Sequence, residues 1–230
     1  MKFGKIFNII SITLLIMAIA LAGFGLSRWI QKERVLRQII ERLTAQTRVA
    51  EVLVTKSEFD ETTKKIRTTI KFLEFDATGK PLAPKYFTFQ GNIIQFQSLV
   101  IRFADKLVEA GDRVRGKSAC FFMKAFVLDG ANTQMFDITK SYEIPGGYKI
   151  AGGKNEFERK FWMEFWNYAL DPKKRERAGV KNAQIEAPGS MFLPGTIYTI
   201  HIEHAGGIRI DAQPVPEILK GENLAKTAQV

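Results

Sequence analysis

The chain has 230 residues, 46% of them hydrophobic, with 34 Lys plus Arg against 24 Asp plus Glu, two His and one Cys. That composition excludes a disordered or low-complexity chain, because 18 Phe against 8 Pro give enough apolar surface to offset the entropy of ordering; it also excludes an internal disulfide and a Cys/His zinc site. The net charge of +10 raises nucleic acid or an anionic surface as partners. Basic and acidic residues interleave along the whole chain, however, as on a solvated surface, and no dedicated nucleic-acid site is expected.

No residue from Ile6 to Leu26 is charged, and Asn8, Ser11 and Thr13 are the polar interruptions. As a helix this run would span about 31 Å, close to the roughly 30 Å hydrocarbon core of a bilayer. Lys2 and Lys5 on one side, and Arg28, Trp29 and Lys32 on the other, stand where interfacial anchors belong. The reading is a transmembrane anchor over 1–27, with the lipid bilayer as partner and a single-pass place in the cell membrane. Ala20-Leu21-Ala22 before Gly23 also resembles a signal-peptide cleavage site. The apolar run continues through Phe24 and Leu26, which favours an uncleaved signal-anchor. Arg28, Lys32, Arg34, Arg37 and Arg42 argue for a cytoplasmic head, whereas the short basic leader argues for export of the head; the expectation is an extracytoplasmic (periplasmic) globular domain.

Residues 28–51 contain no Gly or Pro, and Trp29, Leu36, Leu43 and Ala50 recur seven apart. This predicts a helical stalk continuing the anchor, with a short coiled-coil seam interrupted at Glu33 and Thr47. The seam suits a protein partner or self-association, or equally packing on the chain's own head domain.

From 52 to 212 the texture is that of a mainly β (α+β) domain, a sandwich or open barrel. Ile66, Thr68, Ile70 and Phe72 alternate with Arg67, Thr69 and Lys71, and Asp76 to Gly79 reads as a turn. Tyr86–Gln90, Ile93–Phe103, Ser118–Asp129, Met135–Thr139, Gln184–Glu186, Thr196–His204 and Ile208–Asp211 repeat the pattern. One aromatic-rich helix is expected over Asn155–Leu170, stopped by Asp171-Pro172. Its apolar arc is about 240° wide, which suits a helix covered on two sides. The alternative is a docking face formed by Trp162 and Trp166 with the basic run Lys173, Lys174 and Arg175. The tail 213–230 is polar and reads as flexible.

Candidate chemistry is sparse. His201 and Glu203 would share one strand face and His204 the other, so the two histidines cannot chelate one ion in regular geometry. His201, Glu203 and Asp211 remain weak metal candidates. The glycine pairs Gly146-Gly147 and Gly152-Gly153 match no nucleotide-binding fingerprint, no nucleophile elbow is present, and Cys120 lies in an apolar strand. No cofactor is expected. The sequence thus reads as a membrane-anchored β-rich binding or assembly module without an evident catalytic motif. The alternatives are a membrane-tethered hydrolase using the His201/Glu203 neighbourhood, and a cytoplasm-facing adaptor binding anionic lipid or nucleic acid.

Overall fold

The computed structural model describes residues 12–27, 30, 49–76, 78–103, 118–128, 132–150, 156–173, 180–202 and 207–219. The chain divides into two units, Met1–Ile39 and Ile40–Val230. In the first, residues 12–27 form a helix (α1) whose apolar side chains are exposed. The described residues of the second hold ten strands: β1 (Val49–Asp60), β2 (Lys65–Glu74), β3 (Lys85–Gln90), β4 (Ile93–Phe103), β5 (Ser118–Val127), β6 (Gln134–Asp137), β7 (Val180–Glu186), β8 (Gly189–Met191), β9 (Thr196–Ile202) and β10 (Ile208–Pro214). The helix α2 (Glu156–Leu170) lies between β6 and β7 in sequence.

The strands make two antiparallel sheets. One has the order β10-β9-β1-β2-β3; the other runs β6-β5-β4-β7, with β8 pairing the start of β4. Alternation decides which face goes inside. In β2, Thr68, Ile70, Phe72 and Glu74 are buried while the residues between them are not, and Ala50, Val52 and Val54 do the same in β1. From the second sheet, Ile94, Phe96, Phe122 and Ala125 join one core with them. Phe72 stacks on Phe96 with ring centroids 5.3 Å apart and meets Phe122 edge-on at 5.2 Å, a geometry that aromatic pairs favour. The result is a β-sandwich. The chain changes sheets at the corner between β3 and β4. There Gly91 has φ +126 and donates its N–H to Ile66 O, and a side chain at this position would press on Val127 Cγ1 at 3.3 Å.

The outer face of the second sheet carries a further layer. A register shift between Gln97 and Ser98 of β4 lies opposite Phe122–Lys124 of β5, and beyond it both faces are apolar: Leu99, Val100, Ile101, Cys120 and Phe121 are all buried. Phe121 meets Trp166 at 4.9 Å and Trp162 at 6.2 Å, so the aromatic face of α2 seals this surface. Trp162, Phe165 and Trp166 are consequently buried, and Tyr148 adds cover, its ring 5.1 Å from Trp162; Met163 and Leu170, at the far end of the apolar arc, are exposed.

Two expectations are corrected. Among the described residues no helix is long and apolar enough to cross a membrane. The transmembrane anchor over 1–27, and with it the single-pass, signal-anchor and extracytoplasmic cell-membrane readings, therefore lose their basis; residues 1–11 lie outside the described residues. The second correction concerns the stalk over 28–51 and its coiled coil. Ala50, read as a seam position, is buried in the sandwich core, paired with Glu74 on one side and Ile200 on the other. Strand β1 starts at Val49, and Leu36 and Leu43 lie outside the described residues. The β-rich character of the head is what the structure shows.

Candidate functional site

Side chains join the two sheets where backbone pairing stops. On one side of the sandwich, Gln134 of β6 uses its side-chain amide as a substitute strand. Its Oε1 accepts the Gln90 N–H at 2.8 Å and its Nε2 donates to Gln90 O at 3.4 Å. Phe136 packs on Phe87 and Phe89 at 5.5 and 5.1 Å, and the Lys85 ammonium donates to Ile138 O. On the other side, Glu186 of β7 accepts the Ile208 N–H of β10 at 3.0 Å. A third side-chain bridge ties Tyr148 to β5: the phenol accepts the Cys120 N–H at 3.0 Å and donates to Cys120 O at 2.9 Å.

Beside the Gln134 bridge lies an open cleft of about 600 Å³. Its walls come from three places. Thr63, Lys65 and Arg67 belong to the β1–β2 hairpin, Thr88, Phe89 and Gln90 to β3, and Asn132 and Gln134 to the approach and start of β6. The register puts Arg67 opposite Gln90 and Thr69 opposite Thr88, and the two threonine hydroxyls are 2.9 Å apart. Asp60 fixes the hairpin end. Its Oδ1 accepts the N–H groups of Thr62 at 2.9 Å and Thr63 at 3.2 Å, and its Oδ2 accepts Arg67 Nη2 at 2.7 Å. The Thr63 amide, the largest influence, holds the Asp60 carboxyl below its ordinary range; burial, the next, opposes it, and the Thr62 amide and the Arg67 guanidinium add to the lowering. The same hairpin end carries the exposed cross-strand pair Phe59 and Ile66.

The residues singled out from the sequence lie elsewhere. Trp162 and Trp166 are fully buried beneath the second sheet. Trp166 donates its indole N–H to Glu143 O at 3.0 Å, whereas the Trp162 Nε1 has no hydrogen-bond partner among the described residues. Lys173 is exposed just past α2, its backbone N–H on Asp171 Oδ1 at 2.9 Å; Lys174 and Arg175 lie outside the described residues. His201 and Asp211 are brought together on β9 and β10, with Nε2 3.4 Å from Oδ2. The same Asp211 oxygen accepts Arg209 Nη2 at 2.9 Å and Nε at 3.2 Å, so a guanidinium already occupies it. Glu203 lies outside the described residues, and among those described no group of three His, Cys, Asp or Glu is placed to hold a metal ion.

Lys65, Arg67, Thr88, Gln90 and Gln134 were not singled out from the sequence. The single local signal was the alternation that puts Lys65 and Arg67 on the outward face of β2; their meeting with Gln134 depends on the fold. No family model, no curated protein and no solved structure matches this chain.

Proposed function

We propose that the Ile40–Val230 unit is a binding module whose ligand sits in the cleft between the β1–β2 hairpin, β3 and β6. One observation carries this reading. The lining offers hydrogen-bonding groups from three separate elements around one concavity, including two cations, two threonines and three amides, but among the described residues no carboxylate, imidazole or thiol. Among the described residues such a lining is built of groups that recognise and hold, without the carboxylate, imidazole or thiol that most acid-base and nucleophilic chemistry uses. The volume falls within the range of small-molecule sites. The hydrolase alternative would need Asp211, already engaged by Arg209, and it gains no support from the cleft.

The test is amide-resolved NMR of the full chain titrated with a panel of small polar molecules. Shifts clustered at Thr63, Thr88, Gln90 and Gln134 are expected. Saturable shifts at His201, Thr199 and Asp211 with a silent cleft would overturn the assignment.

A further inference from the structure

We infer that the cleft ligand carries an oxyanion, a phosphate or carboxylate, on a small polar body. This rests on the binding-module reading above and adds the chemical class. Lys65 and Arg67 are two residues apart on β2, so strand periodicity projects both from one face, and both line the cleft. Other polar lining side chains carry O–H or N–H groups that can donate: Thr88 from β3, and Gln134 from β6. Among the described residues no acid lines the cleft to repel an anion.

The nearby carboxylate of Asp60 orients Arg67. Its two oxygens are taken by the Thr62 and Thr63 amides and by Arg67 Nη2, which balances its charge and holds the guanidinium by one nitrogen. A guanidinium has five N–H donors in a rigid fork, so holding it by Nη2 leaves a planar, pre-oriented donor edge of the kind that pairs with phosphate or carboxylate. Asp60 is in this sense a positioning residue. The volume of about 600 Å³ is far more than a bare ion fills, which calls for an anionic group on a body of sugar size. A neutral sugar would suit the amides and hydroxyls but would leave the remaining N–H donors of Arg67 without an oxyanion to pair.

The test uses calorimetry and amide-resolved NMR on the full chain with three matched probes: glucose 6-phosphate, gluconate and glucose. At least one anionic probe is expected to bind at the cleft amides about tenfold or more tighter than glucose, to weaken with added salt, and to lose about tenfold in affinity in K65Q. Stronger binding of glucose 6-phosphate assigns a phosphate; stronger binding of gluconate assigns a carboxylate. R67Q should give a loss of the same order. R67K, which retains the charge beside Asp60, serves if R67Q does not fold, and K65Q is an independent second variant. Glucose binding at the same amides as tightly as the anions would overturn the oxyanion inference and leave the binding module standing. Silence of the cleft amides toward all three probes would overturn both.

Discussion

The two tryptophans of α2 make a sharp test of the packing. Trp162 and Trp166 are four residues apart on one helix face, both fully buried against Phe121, yet only Trp166 has a partner for its indole N–H among the described residues. Replacing either by Phe removes a similar slice of ring, so the packing losses largely cancel between the two variants. The polar changes do not cancel. Trp166→Phe removes a hydrogen bond worth about 1 kcal/mol net. Trp162→Phe removes a buried donor whose desolvation costs about 1–3 kcal/mol. Trp166→Phe should therefore be the more destabilising by about 2 kcal/mol or more, a difference in urea midpoint of about 1 M for a typical slope. Urea unfolding of the full-chain variants, followed by far-ultraviolet circular dichroism, measures this. Equal midpoints, or a lower one for Trp162→Phe, would refute the assigned hydrogen bonding. The alanine variants should each lose about 3–5 kcal/mol; loss of partner binding at unchanged stability would instead establish a docking face.

Thr68 and Ser98 are fully buried with hydroxyls that find no partner among the described residues, so Thr68→Val and Ser98→Ala should be neutral or stabilising by about 1 kcal/mol in thermal melts; a loss above that size would mean the hydroxyls are bonded. The side-chain bridges predict selective amide exchange: Gln134→Ala should speed exchange at Gln90, and Glu186→Ala at Ile208, by about fivefold each, and uniform acceleration across both sheets would show global destabilisation instead. Asp60 gives a pH dependence at the β1–β2 turn. Its folded pKa lies below the unfolded value of about 3.9, so the stabilisation is complete above that value and lost as pH falls through the lower folded one. The Thr62 and Thr63 amide shifts should follow that acid transition in the native chain and not in Asp60→Asn, and an identical transition in the variant would assign it to another group.

The sheets were legible where alternation is unbroken. Thr68, Ile70 and Phe72 face the core in period two, and the expected β3 and β4 lie within a residue of the observed strands. Strand β1 escaped for a physical reason. Its register shifts between Val54 and Lys56, so Val52 and Val54 pair Phe72 and Ile70 in even positions while Ser57 pairs Thr68 of the same face in an odd one; no single period-two template fits across such a bulge. Strand β8 is three residues long and exists because it pairs Ile93–Gln95, a pairing with no local signal. The apolar arc of α2 is buried at Trp162, Phe165 and Trp166, while Met163 and Leu170 at its far end are exposed. The N-terminal apolar run gives the transfer preference of a segment, and among the described residues no helix long and apolar enough to cross a membrane accompanies it.

The site was less legible than the fold, and the side-chain bridges explain why. Backbone pairing holds strands about 4.8 Å apart and leaves nothing between them. Where a glutamine side chain stands in for a strand, the backbones it joins are separated by the length of that side chain. A concavity can then open beside the bridge, bordered by the residues that make it. Gln134 has both roles here, satisfying the Gln90 amide and lining the cleft. Such a site depends on two long-range hydrogen bonds between residues 44 apart in sequence, and neither Gln134 nor Gln90 belongs to any local motif. Lys65 and Arg67 read as ordinary solvated charges until β6 is placed beside them, so what makes the cleft a candidate site is the meeting of two sheet edges.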